Sequence, residues 1–385
     1  MKLLSSEVQY LILFVSVIIL PKLLLRFRIP VGITCLSLGF FTTAFLNWFQ
    51  GDQLLLMLSR LGITSLFLFA GMEIELDELK KDGKTLSMDL LKSTVLLFAI
   101  AYGLTFFFDL SYRAAIILSL GLMTPSTGFI LNSLKNYTFS AGEEYWIRSK
   151  AIAKEIVAIL ILFVALQSSS WQDFLVSKAV LVLLIVFLPL LFKFFLRIVA
   201  PYAPDTEVGF LILVALISGV VTKKIGTYYL VGAFIVGIVA GNFKHFISKD
   251  NHENILRSLS VFFSFFVPFY FYKAGLTITT EMFSMKGLII GLVFLLVFLA
   301  IRVLSVFVTV KYFIPDFWKN RLSISMSLLP TLIFGLVIVS ILRERFDVSP
   351  EILSGLIVYT VVSSLIPSFV FEKAPPVFHD TSMGR

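Results

Sequence analysis

The chain lacks most of what aqueous catalysis uses. It holds one cysteine, Cys35, so no intrachain disulfide can form. Its three histidines, His245, His252 and His379, are scattered in polar stretches. One thiol and no histidine pair leave no ligand set for zinc or copper. Charged residues are 15% of the chain, against about 25% in a typical soluble domain. No Walker A sequence and no G-x-G-x-x-G is present, so no nucleotide-binding domain is expected. Serines are common but have no His/Asp partner set, so neither an enzyme nor a resident cofactor is expected. The net charge is +8. Its basic residues lie dispersed between apolar segments, which fits membrane orientation and not nucleic-acid binding.

Apolar sequence is what the chain has in excess. Of its 385 residues 58% are hydrophobic, and mean hydropathy is +0.97. A soluble protein of this size cannot hide that much apolar surface. An integral membrane protein of the all-α polytopic class is expected, since lipid admits helices or closed barrels only. A span needs about 20 apolar residues. Thirteen candidates centre on Phe14, Leu38, Leu66, Phe98, Leu120, Leu160, Ile185, Ile212, Ile235, Phe269, Phe294, Leu332 and Val361. The first apolar run continues to Leu25 without a small-residue cleavage site, which reads as a retained span and not a signal peptide. Twenty Lys and Arg fall in the odd-numbered loops and the tail, against nine on the other side. The positive-inside rule then puts the N-terminus outside and the C-terminus in the cytoplasm.

The halves resemble each other. Ala70-Gly71 can be laid over Ala274-Gly275, Thr124-Pro125 over Leu329-Pro330, and Val31-Gly32 over Val231-Gly232. The offset is about 200 residues, or seven spans, so the copies would have opposite orientation. One transporter unit over 1–385 is expected: repeat one at about 8–167, a linking span at about 174–199, repeat two at about 205–371, and a short tail at 372–385. Spans 5 and 12 carry Pro125 and Pro330 inside their apolar stretches. Proline removes a backbone donor and clashes with the preceding turn. Thr124, Ser126, Thr127 and Gly128 around Pro125 can bond or replace the freed groups. Matching interrupted spans point to a midplane site.

Four ionisable residues fall inside spans: Lys154 and Glu155 in span 6, Lys273 in span 10 and Arg302 in span 11. Such residues are rare in membranes and mark transport paths. Nine residues beyond the interfacial Trp146, Glu155 would lie about 13 Å deep in a core about 30 Å thick. Glu155 is expected to carry the transported ion, with Lys273 as its ion-pair partner or switch. Arg302 is expected to pair with a buried acid, snorkel or serve the site. The cluster Glu73, Glu75, Asp77 and Glu78, followed by Lys80 and Lys81, reads as a solvated helix end and not a metal site.

With these residues in view the sequence resembles the monovalent cation:proton antiporter superfamily. The nearer branch is the second cation:proton antiporter family, the bacterial sodium/proton or potassium/proton exchangers. The carrying motifs are LFLFAGMEIELDELKK (Leu66–Lys81), TPSTGFIL in span 5, VGAFIVGIVAGN (Val231–Asn242) and FFVPFYFYKAGL in span 10. The resemblance implies crossing broken helices in spans 5 and 12, an alternating-access cycle, a homodimer in the bilayer and a bacterial inner-membrane location. It implies exchange of H+ for Na+ or K+ through the second acid of a span 6 pair, here Glu155. Thr124, Ser126 and Thr127 would complete the cation's oxygen shell. The chain departs from the pattern at the first acid, where Lys154 stands. Lys273 matches the lysine that pairs with that acid in electrogenic relatives. Three span cations against one acid also fit a transporter of an anionic or organic solute on the same scaffold, or a non-transporting relative.

Overall fold

The computed structural model describes residues 5–74, 82–134, 137–167, 171–203, 206–226, 228–242, 249–282 and 284–371. The acidic cluster from Glu75 to Lys81 and the tail from 372 lie outside them.

The described residues form helices joined by short connections. In chain order they are α1 (Ser6–Leu24), α2 (Val31–Phe41), α3 (Gln53–Met72), α4 (Gly83–Phe108), α5 (Tyr112–Met123), α6 (Thr127–Leu134), α7 (Ala141–Gln167) and α8 (Trp171–Phe194). Then come α9 (Glu207–Lys224), α10 (Tyr229–Asn242), α11 (Lys249–Leu276), α12 (Met285–Phe294), α13 (Ala300–Phe313), α14 (Arg321–Ser327), α15 (Leu332–Phe346) and α16 (Pro350–Val370). Local chemistry sets many of the boundaries. The Asp52 carboxylate accepts the Leu55 N–H at 2.7 Å to start α3, and the Ser284 hydroxyl accepts the Gly287 N–H at 3.1 Å to start α12. Asp109 (φ 50°) and Asp347 (φ 48°) end α4 and α15 in the left-handed region.

All thirteen expected centres fall in helices. Among the described residues eight helices are long and apolar enough to cross a membrane, nine if one bent pair is a single span. The other expected spans fall short for visible reasons. Helices α2 and α10 are short, and α7 and α9 carry several charges.

Burial sorts the helices by depth. The stretch Tyr112–Leu131 is 89% buried, whereas Gly83–Phe108 and Leu175–Val199 are each 17% buried. The interrupted segment is thus innermost. Apolar side chains such as Phe107, Leu183 and Leu296 face outward, as a lipid-facing belt requires.

Glycines let four helices approach closely. A Cβ on Gly71 of α3 would collide with the Phe234 carbonyl of α10, and one on Gly237 with the Leu68 carbonyl of α3. A Cβ on Gly275 of α11 would strike the Leu36 carbonyl of α2, and one on Gly39 the Tyr272 carbonyl of α11. With no hydrophobic drive between helices in lipid, such close backbone contact is what holds a bundle together.

Six prolines lie in apolar runs. Pro21, Pro189, Pro268 and Pro367 stay inside helices. Pro125 and Pro330 sit in breaks, between α5 and α6 and between α14 and α15. The second pair of segments bends by 43°. The Ser126 N–H donates to the Pro330 carbonyl at 2.8 Å, so the two breaks meet. The Thr331 N–H donates to the Ser364 hydroxyl at 3.1 Å, which satisfies the next freed donor.

Candidate ion site at the crossing of the breaks

The breaks put short oxygen-bearing side chains at the centre of the bundle. Thr124, Ser126 and Thr127 are buried, at most 4% exposed. The N–H of Thr127, the first residue of α6, donates to Glu155 Oε2 at 2.9 Å. Glu155 is itself 2% exposed. A helix N-terminus carries partial positive charge, so it suits a buried carboxylate. The Ser126 hydroxyl has no hydrogen-bond partner, and the Thr127 hydroxyl lies close to the carboxylate without reaching hydrogen-bond geometry. A carboxylate with two idle hydroxyls is a donor set for a proton or a hard monovalent cation. A Cβ on Gly128 would meet Ile333 at an ordinary 3.4 Å, so no close approach demands glycine there.

Lys154 lies on another face of α7. Adjacent helix residues point about 100° apart. Its charged neighbours are Asp89, Lys92 and Arg302. Together with Met123, Pro125, Arg302, Ser305, Ser325, Leu328 and Leu329 it lines a small cavity.

Arg302 is 6% exposed and bonded to neutral oxygens. Its guanidinium donates to the Leu122 carbonyl at 3.5 Å, the Tyr359 hydroxyl at 3.1 Å and the Leu328 carbonyl at 2.5 Å. Leu122 lies in the last turn of α5 and Leu328 follows α14. One cation therefore caps the C-terminal ends of both half-helices, where orphan carbonyls and dipoles favour positive charge. No carboxylate partner of Arg302 is found among the described residues.

The structure does not bring Lys273 to Glu155. Lys273 lies in the last turn of α11, half-buried, with Asp52 and Arg343 as its charged neighbours. The apolar residues before it suggest depth, but α11 begins at Lys249 and is 28 residues long, which carries Lys273 to the far end.

Sequence reading missed an acid. Asp89 of α4 is 2% exposed. Its Oδ1 contacts Lys150 Nζ at 3.1 Å and Lys92 Nζ at 3.0 Å, and accepts the Thr309 hydroxyl. Lys92 also donates to the Ser305 carbonyl at 2.7 Å and to the Thr309 hydroxyl. Lys150, counted above with a loop, is 4% exposed. Two sequence signals were available: Asp89 and Lys92 are three apart, and Lys150 lies one helical turn before Lys154.

Known proteins resemble this chain in sequence and in fold. The family model for the transmembrane sodium/hydrogen exchanger matches residues 11–373. "Probable Na(+)/H(+) antiporter 3" of Methanocaldococcus jannaschii is 23% identical over 95% of this chain and 96% of its own. The Na(+)/H(+)-K(+) antiporter GerN of Bacillus cereus is 21% identical over 62% of each chain. The solved structure of the sodium proton antiporter MjNhaP1 from Methanocaldococcus jannaschii superposes with a TM-score of 0.68 at 15% identity, covering 94% of this chain and 95% of that one. That likeness carries the antiporter fold; the match across nearly the whole sequence carries the membership. This chain belongs to the transmembrane sodium/hydrogen exchanger family.

Proposed function

We propose that the protein exchanges a monovalent cation, Na+ or K+, for protons by alternating access, with Glu155 as the carrier. The observation that supports this most is the Glu155 carboxylate, buried at a helix break, bonded to the Thr127 N–H and flanked by idle hydroxyls. A carboxylate holds either a proton or a desolvated cation. If the protein changes sides only when one is bound, the two fluxes are coupled. Thr127 contacts the carboxylate, and the buried Ser126 and Thr124 next to it in sequence are the further oxygens proposed for the cation shell.

The position of Lys154 makes this workable. Two cations about 4 Å apart at an effective dielectric near 20 repel by roughly 4 kcal/mol. That is nearly a thousandfold in affinity, since about 1.4 kcal/mol is tenfold. A lysine pointing at the carboxylate would therefore abolish cation binding. Lys154 instead faces Asp89 and Arg302, while Glu155 faces α6. A single carrier carboxylate exchanges one cation for one proton.

Further parts of the reading concern assembly. Residues 8–167 and 205–371 act as two inverted copies. The glycine contacts support this, since the α3–α10 contact at Gly71 and Gly237 and the α11–α2 contact at Gly275 and Gly39 join helix pairs that the repeat exchanges. The protein works as a homodimer in a bacterial inner membrane, with its N-terminus outside. The test is proton flux driven by Na+ or K+ in proteoliposomes, with wild type and Glu155→Gln side by side. Flux lost in the variant supports the carrier role, and flux retained removes it.

A further inference from the structure

Where α4, α7 and α13 meet, cations outnumber acids: Lys150 and Arg302 are buried and Lys154 is half-buried. Lys150, Lys154 and Arg302 project into this layer, and Asp89 is the acid described there. The Asp89 carboxylate is already bonded to Lys150, Lys92 and Thr309. Glu155 is engaged elsewhere, on the Thr127 N–H. Among the described residues Arg302 has only neutral oxygens as acceptors, and they take three of its five N–H donors. Lys154 has no hydrogen bond or ion pair among the described residues.

Lys154 and Arg302 share one small cavity beside Pro125, with no carboxylate in its wall. Two like charges facing each other out of water are costly unless something of opposite sign lies between them. Ser305 also lines the cavity, and its hydroxyl is buried without a partner. The cavity thus presents an ammonium, a guanidinium with donors to spare and an idle hydroxyl. It has room for one small particle, a water molecule or a single monatomic ion. A water would satisfy the hydroxyl but not the charge, and sulfate or an organic acid would not fit.

The geometry points to a bound monovalent anion of halide size between Lys154, Arg302 and Ser305. It is a resident counter-ion and not cargo, because Arg302 is itself fixed to the Leu122 and Leu328 carbonyls at the helix ends. It neutralises the cationic layer beside the carrier, so that a cation arriving at Glu155 meets less repulsion. That effect on transport rests on the cation-exchange reading; the anion site itself does not.

The test uses the purified full-length protein. Melting is followed in sodium bromide or chloride against sodium gluconate at equal sodium, and crystals grown in bromide are examined for anomalous scattering. The expected result is a saturable rise in Tm with halide alone and one bromide peak within hydrogen-bond reach of Lys154 and Arg302. Both are lost in Lys154→Met and kept in Glu155→Gln. Ser305→Ala, a milder change, should fold normally and bind halide several-fold more weakly. An empty cavity in bromide, halide stabilisation unchanged in Lys154→Met, or unchanged affinity in Ser305→Ala would each overturn the site. Flux that survives Glu155→Gln would remove the carrier reading and leave the anion site standing.

Discussion

The main-chain N–H of Thr127 donates to the Glu155 carboxylate at 2.9 Å, joining the first residue of a half-helix to a buried acid on the next helix. That bond holds the acid at the crossing of the two breaks without using up the neighbouring hydroxyls. The hydroxyls should therefore tune binding. Ser126→Ala is expected to raise the apparent KM for the cation by about five- to tenfold, the loss of one oxygen ligand at about 1 kcal/mol or more, with the maximal rate little changed. Cation titration of proton flux measures it. An unchanged KM would place the cation away from Ser126.

Asp89 and Lys150 form a buried pair, and the two should behave as a unit. Asp89→Asn leaves Lys150 buried with a weaker partner and is expected to cost about 3 kcal/mol in stability. Replacing both, as Asp89→Leu with Lys150→Leu, should cost less than the single change, because no charge is stranded. Thermal melting of the purified variants compares them. Additive losses would mean that the pair contributes nothing jointly.

Arg302 should resist conservative exchange. Lysine keeps the charge, but one ammonium cannot serve the Leu122 and Leu328 carbonyls with the planar fork that arginine offers. Arg302→Lys is expected to lower Tm clearly, with a loss of about 2 kcal/mol from the unsatisfied carbonyls and helix ends. A wild-type Tm would show that the half-helix ends are held by other means.

Lys273 separates the geometry from the sequence pattern. Its charged neighbours are Asp52 and Arg343. Lys273→Ala is therefore expected to leave cation affinity within about twofold of wild type, as for a distant, independent site. A tenfold shift in flux-derived affinity would place Lys273 in the transport path after all.

The helical scaffold was legible in the sequence because span length and apolar content are local properties. Pro125 and Pro330 marked the breaks, yet four other prolines in apolar runs do not break their helices. What sets the two apart is where the freed donors go: the Ser126 N–H reaches the Pro330 carbonyl of the other half, and the Thr331 N–H reaches the Ser364 hydroxyl of α16. Glu155 was legible as a lone acid in an apolar run. Asp89 was not, since it lies in the second turn of a helix near a charged loop and is covered by Lys150 of α7 and Thr309 of α13. The partners of Arg302 are backbone carbonyls at helix breaks, which no side-chain pattern reveals. Lys273 looked deep because its flanks are apolar, while the length of α11 carries it to the helix end.

One carrier carboxylate makes a definite prediction for charge movement. Exchange of one cation for one proton moves no net charge. Imposing a membrane potential with a potassium-free ionophore system should leave the initial rate unchanged within error. A rate that follows the potential would require a second titrating group, with Lys154 the nearest candidate on α7.

The most direct measurement is proton flux into proteoliposomes under an imposed Na+ or K+ gradient, in wild type, Glu155→Gln and Glu155→Asp. The account predicts cation-driven flux in wild type and none in the glutamine variant. The aspartate variant should be weaker but active, since it keeps the titrating oxygen pair. Equal flux in wild type and Glu155→Gln, with both proteins folded, would contradict it.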